Sequence, residues 1–400
     1  MIKRLDSPIT CLLIVFFVVS AFIYCRIELF KRDSSLFVTA GDQFCDSNQV
    51  PPGLTVLKNN SGYDGQFYYR LALNPFTSQP IEYGIKIDVP AFRHQRFLYP
   101  FLAWAISFRS LNSVPTVLLL INAVAICLMA WISSRLVQEF GQHALWGIFL
   151  PLYPGFLFTL SRDLVEILEV TFVLGSIMLL RQQKIAWATA LLSLAVLTKE
   201  TSFQICIAAG IAYGIALIAP KMFKTKVYKE FSWYYFVIPI IVFFSLQTAL
   251  FYNWGQVPII TSGNNTIRLP FVNFLTFFWQ MLIAENSFQR AQIVYLSYIV
   301  LFILAVLYHL AFTKATTYQI VTCVLFGIVT VSLSEYVWAE DYAYLRASSV
   351  FYVFGTVVMI ISKINLVKTV YFSCSIVIWI FSFARLACPG YLSHLTRGYF

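Results

Sequence analysis

Apolar runs long enough to cross a bilayer recur from one end of this chain to the other, and no other feature limits its fold so strongly. The expectation is an all-α, polytopic transmembrane helical bundle of about 11 spans, forming a single integral membrane domain over residues 1–400. Composition agrees, because 59% of the 400 residues are hydrophobic and 12% charged, whereas ordinary soluble domains carry about a quarter charged residues. The first run, Ile9 to Tyr24, follows a basic Met1-Ile2-Lys3-Arg4 start. No small-residue cleavage site follows it, and Arg26, Lys31 and Arg32 flank its far end, so it reads as a retained signal-anchor helix.

The charges suggest an orientation. With the N-terminus cytoplasmic, a span at about residues 9–29 leads outward to a large extracytoplasmic loop, 31–95. Phe97 to Phe108 is short for a span and is interrupted by Pro100, which suits a re-entrant or interfacial helix. Val114 to Ile132 then returns, ending at Arg135. Further spans are expected at 144–160, 164–180, 185–198, 202–219, 233–251, 293–312, 317–338, 347–362 and 369–387, with 270–290 on the outer membrane surface. The strongly basic turns, namely Arg181 with Lys184, the cluster Lys221, Lys224, Lys226 and Lys229, Lys314, and Lys363 with Lys368, all fall inside. A bacterial inner (plasma) membrane with a periplasmic active face fits this layout, and endoplasmic reticulum remains the alternative.

The net charge of +10 is thereby assigned to cytoplasmic loops, and a nucleic-acid partner is not expected. Eight cysteines include no CxxC pair. A Cys45–Cys388 disulfide is conceivable on the outer side, although two unpaired thiols are expected. P-loop, GxGxxG, HExxH and GxSxG patterns are absent, and four histidines make histidine-based metal catalysis an unpromising class.

Chemistry is expected at a polar island in the first outer loop: Tyr63-Asp64-Gly65-Gln66-Phe67-Tyr68-Tyr69, then Asp88-Val89-Pro90, then Arg93-His94-Gln95-Arg96-Phe97-Leu98-Tyr99-Pro100. Asp64 beside a membrane helix is partly desolvated, which would raise its basicity and suit it to general-base work. Asp-Gly is also a common turn dipeptide, so a solvated turn is the plain alternative. Tyr63, Gln66, Tyr68, Tyr69, Asp88, His94 and Tyr99 are candidate substrate-binding groups around it.

Arg93 and Arg96, three apart, would share a helix face and suit a phosphate or diphosphate, since each guanidinium can donate two parallel hydrogen bonds. Lys199-Glu200 lies between two short apolar runs at the outer membrane level; the pair either neutralises itself or offers Lys199 to phosphate with Glu200 orienting it. Arg346 opens an outer helix against the positive-inside trend and is a further anion ligand, unless Glu340 and Asp341 pair with it. Arg162, Asp163 and Glu166 read as a self-compensating helix-start cluster. No metal site is assigned and no cofactor is required, but a carboxylate-held Mg²⁺ or Mn²⁺ at Asp64 or Asp88 stays open.

The segment from Tyr63 to Tyr69 followed by Arg93 to Trp104, with its Asp close to the membrane after an N-terminal span, resembles the GT-C superfamily of membrane glycosyltransferases. Leu197-Thr198-Lys199-Glu200-Thr201 resembles a second motif of bacterial, mannosyltransferase-like members. The likeness covers roughly residues 1–350, and the chain departs from the family's acidic pair by carrying one Asp in the motif. The resemblance implies inverting transfer of a sugar from a polyprenyl-phosphate donor to a glycan, lipid or protein acceptor hydroxyl, as in envelope polysaccharide synthesis. Asp64 would serve as base, and Arg93, Arg96, Lys199 and Arg346 would hold the leaving phosphate. The competing classes are a transporter or flippase of a lipid-linked sugar and a non-catalytic envelope-assembly membrane protein.

Overall fold

The computed structural model describes residues 6–218, 232–261, 267–283, 287–362 and 364–388, the side chains of 287–290 excepted. The lysine cluster at 221–229, Lys363 and part of the expected surface segment at 270–290 lie outside what is described.

The helices are α1 Pro8–Leu29, α2 Asp64–Leu73, α3 Pro90–His94, α4 Leu98–Ile106, α5 Val114–Glu139, α6 Pro154–Leu160, α7 Glu166–Arg181, α8 Ile185–Thr198, α9 Phe203–Ile218, α10 Tyr234–Trp254, α11 Pro258–Thr261, α12 Val272–Leu282, α13 Ser287–Leu310, α14 Thr317–Val331, α15 Glu335–Trp338, α16 Asp341–Ala347, α17 Ser349–Ile361 and α18 Leu366–Ala387. Helix makes up 71% and strand 3%, so the all-α expectation holds. Its cause is that a chain among lipids must satisfy its own backbone, and an α-helix does so within one segment.

Among the described residues, six helices are long and apolar enough to cross a membrane: α1, α5, α9 with the turn before it, α10, α13 from Ala291, and α18. A seventh is added if α16 and α17, bent 55° to one another, count as one span. The other expected spans are shorter or broken. Residues 144–160 form a 3-10 turn, Ala144–Phe149, and then α6. Pro154 opens α6 at its first position and holds Tyr153 extended, so no continuous helix runs through. Helix α14 starts on a Thr316–Gln319 capping box and ends at Val331.

The stretch between α1 and α4 is the least helical part. Ala40–Gly41 (β1) pairs in parallel with Val56–Leu57 (β2), and Ile81–Glu82 (β3) pairs antiparallel with Ile85–Lys86 (β4). Gln66 locks this loop onto α2: its carbonyl accepts from Gly41 N at 3.1 Å, and its amide donates to the Ser61 carbonyl at 2.9 Å. Cys45 and Cys388 are both free thiols.

Helix ends gather at two faces. At one, Arg26 of α1 donates to the Leu386 carbonyl of α18 at 2.7 Å and to the Ser161 carbonyl at 3.3 Å. On this same face Gln247 of α10 donates to Gln95 at 3.0 Å, and Arg385 pairs with Asp341. At the opposite face Gln138 donates to the Asp6 carbonyl at 3.0 Å, and Arg181 meets Glu139 at 3.3 Å. The polar island lies on the first face.

Candidate functional site

Asp64 is the first residue of α2, where exposed backbone N–H groups favour a carboxylate. Gly65 lets this helix end press against the turn between α6 and α7: a Cβ there would stand 2.2 Å from the Arg162 carbonyl oxygen and 2.7 Å from that of Val38. No side chain fits that gap, so the glycine sets where Asp64 sits.

Three guanidiniums converge on this carboxylate. Arg93 of α3 lies 2.9 Å from one oxygen, and Arg346 of α16 lies 3.0 Å from the other. Arg96, in the link between α3 and α4, stands 3.8 Å away. Each arginine also holds a second carboxylate of its own. Arg93 grips Asp88 through two bonds of 2.9 and 2.7 Å. Arg96 grips Glu200 through two bonds of 3.0 and 2.7 Å and also donates to the Tyr68 hydroxyl. Arg346 reaches Glu166 at 3.4 Å. Asp64 is thus a hub, three arginines are spokes, and Asp88, Glu200 and Glu166 form the rim. Behind the rim, Lys199 pairs with Glu166 at 3.1 Å and with Glu169 at 3.7 Å, and Glu169 accepts from Thr201 and Ser202 at 2.7 and 2.8 Å. Rings line the hub: the Arg346 guanidinium lies 5.1 Å from the Tyr63 ring centroid, that of Arg93 lies 4.7 Å from Phe67, and that of Arg96 lies 4.9 Å from Phe92.

The hub is partly open, with the Asp64 and Arg346 side chains each 15% exposed and Arg93 13%, while Glu166 beneath is 1% exposed. Burial alone would weaken the Asp64 acid. Arg93, Arg346 and Arg96 outweigh it and hold the carboxyl well below the usual carboxylate range. The raised basicity expected from desolvation is therefore corrected: among three cations Asp64 is a weak base. Burial pushes the Tyr68 hydroxyl up to about 12, so it stays a neutral hydrogen-bonding group.

Most of the proposed site residues meet here, from segments as far as 282 positions apart. Asp64, Arg93, Arg96, Lys199, Glu200, Arg346, Asp88, Tyr63 and Tyr68 are all in the cluster. Lys199 and Glu200 do not neutralise one another; they take different partners. Asp341 turns away to Arg385, which leaves Arg346 to the hub.

Four candidates are placed elsewhere. Gln66 clamps the loop before α2, as described above. Tyr69 is buried in the apolar core beside Cys45. His94 donates from Nε2 to the Pro75 carbonyl at 2.8 Å and accepts at Nδ1 from the Trp254 indole at 2.9 Å, a pattern that fits the neutral ring. Burial lowers its pKa in the same sense. Tyr99 donates to the Leu118 carbonyl at 3.0 Å and accepts from Asn122 at 2.8 Å, joining α4 to α5.

The helix-start cluster at 162–166 is also corrected. Arg162 lies over the rings of Tyr342 and Tyr63, at 4.6 and 5.2 Å, whereas Glu166 belongs to the ion network. Glu169, which the sequence did not single out, and Glu166, read there only as part of a helix-start cluster, are both acids of this network. The signal was present: two acids three apart in a helix that is otherwise apolar.

A divalent cation does not fit this donor set. Arg93 lies between Asp64 and Asp88 and bonds both, and two more guanidiniums face Asp64. A metal ion there would stand among cations rather than carboxylates. The network as it stands can hold an anion only by exchange. Four cations (Arg93, Arg96, Lys199, Arg346) face five carboxylates (Asp64, Asp88, Glu166, Glu169, Glu200), a formal balance of −1. Comparison with protein-family models and with curated proteins finds no match for the chain.

Proposed function

We propose that the chain is an integral membrane glycosyltransferase, moving a sugar from a polyprenyl-phosphate donor to an acceptor hydroxyl at the extracytoplasmic, periplasmic face, with inversion. The observation that carries this is the hub: three guanidiniums on one partly exposed carboxylate, each with a second carboxylate in reserve. The gathering of this polar network at one end of the bundle supports a single-face reaction over a transport path, which would need polar groups midway. The alternating helix ends and the short helices α6, α7, α8, α14 and α17 are compatible with about 11 crossings, some of them bent.

In the proposed cycle the donor phosphate takes the place of Asp64 on the arginines. Rim carboxylates keep those arginines oriented, so the clamp needs little rearrangement. Asp64, released from its cations, recovers the basicity of an ordinary carboxylate. The acceptor oxygen attacks the anomeric carbon, and its proton passes to Asp64. The bond from the anomeric carbon to the phosphate oxygen breaks, and the electron pair leaves with polyprenyl phosphate, whose charge the arginines hold. The products are the glycoside and the lipid phosphate. No metal ion is needed, because the cations are supplied by the chain.

The test is incubation of the purified protein in nanodiscs with a panel of polyprenyl-phosphate sugars and acceptors, following released lipid phosphate with and without EDTA. The expected result is release that EDTA does not affect and that Asp64→Asn lowers by about 10²–10⁴-fold. Full activity in stably inserted Asp64→Asn would remove the base assignment. Translocation of labelled lipid-linked sugar without any release would favour a flippase.

A further inference from the structure

The face opposite the hub carries a second unusual cation. Lys368, in the first turn of α18, is fully buried, and its ammonium has no hydrogen-bond partner. It rests 4.9 Å from the centroid of the Trp146 ring. The acids described at this face are engaged elsewhere. Asp6 accepts from Ala144 N at 2.7 Å and from Gln138, and Glu139 accepts from Arg181 at 3.3 Å and Gln182 at 3.1 Å. The same Trp146 lines an open groove of about 450 Å³, with Phe149, Phe372 and Ile376 and with Thr369 and Ser373. Its aromatic wall is tightly packed, with the Phe149 and Phe372 rings stacked at 4.2 Å.

A buried ammonium is costly unless it meets a counter-charge, and a ring face supplies part of one. Burying it beside an apolar groove, without an acid, is the complement of an amphiphilic anion. We propose that this face holds an anionic glycerophospholipid of the surrounding leaflet, with its phosphate on Lys368 and an acyl chain in the groove. The half-buried indole of Trp146 would turn to admit the headgroup. Lysine suits this role because its three donors can meet a phosphate from several directions. The site is independent of the sugar-transfer proposal, since none of its residues belongs to the hub.

Thermal unfolding of the protein in neutral detergent tests it, titrated with phosphatidylglycerol, phosphatidylcholine or inorganic phosphate. Phosphatidylglycerol should stabilise at a concentration about fivefold lower than phosphatidylcholine, the preference that one lysine near an anionic lipid provides. Inorganic phosphate alone should do nothing. Lys368→Met, which removes an uncompensated charge and keeps the stem, should fold and lose the preference. Ser373→Trp, which fills the groove without touching Lys368, should also lose it. Equal response to both lipids, a preference that survives in either variant, or an equal shift with inorganic phosphate would overturn the proposal.

Discussion

Two buried ionic sites on the same face of the bundle differ in valence and in exposure. Asp341 and Arg385 form an ion pair whose side chains are both fully buried, tying the start of α16 to the last turn of α18. Asp64 faces three guanidiniums and is 15% exposed. A sealed pair such as the first joins helices, and removing one member leaves the other charge uncompensated in a medium that cannot solvate it. At the hub every arginine has a rim carboxylate to fall back on, so Asp64 can be withdrawn without stranding a cation. Several cations on one partly open carboxylate, each with a second acid to hold it, are what distinguish an exchangeable site from a structural brace.

The largest expected effect tests the brace. Arg385→Met should lower unfolding stability by about 3–5 kcal/mol, the usual result of stranding a buried partner. The double variant Arg385→Met with Asp341→Leu should recover most of that loss. Thermal unfolding in detergent or nanodiscs measures both. A mild single variant would mean that the brace, too, can exchange partners. Next comes the hub itself. Asp64→Asn should reduce sugar transfer by about 10²–10⁴-fold, the range that a positioned acid or base supplies. The same change should leave the protein folded and tighten its binding of a phosphate monoester, because three guanidiniums lose a competing anion. Calorimetry with a short-chain lipid phosphate reads that gain, and weaker binding would break the contrast with the brace.

The helical class was legible because lipid leaves continuous apolar runs few choices: Pro8–Leu29 and Val114–Glu139 are helices close to where hydropathy puts them. The break at Leu150–Tyr153 was harder to see, since the apolar run continues through it and only Pro151 and Pro154 mark the change. Asp64, Arg93 and Arg96 stood out as polar residues near a membrane segment. Which charges pair could not be read, because partner choice depends on tertiary placement. Lys199 pairs with Glu166 and Glu169 rather than with adjacent Glu200, and Arg346 passes over Glu340 and Asp341 for Asp64. The same blindness produced the wrong sign for Asp64: burial was foreseeable, but three arginines arriving from elsewhere were not.

That sign has a measurable form. A carboxylate whose folded pKa is depressed contributes stability above its unfolded value, about 3.9, and loses the contribution as pH falls through the lower folded value. The hub's contribution should therefore be constant from about pH 7 to about pH 4 and decline below that. The difference in unfolding midpoint between wild type and Asp64→Asn, followed over that range, isolates it. A difference that instead grows as pH falls through about 6 would show a carboxylate of raised pKa. It would also restore the simpler picture of a desolvated base.

The smallest expected effect concerns the rim. Asp88 is 25% exposed and grips Arg93 from the loop before α3, so water can replace much of what it offers. Asp88→Asn should cost about 0.2–1 kcal/mol and depend on ionic strength, as exposed pairs do. Arg93 keeps Asp64 and the Phe67 ring as partners, so the hub should stay assembled. Unfolding measured at low and high salt reads the difference. A loss as large as that of Arg385→Met would mean that the rim seals the hub as tightly as the brace is sealed. Exchange at Asp64 would then require breaking structure rather than swapping partners, and a donor phosphate could not use the arginines without opening the fold.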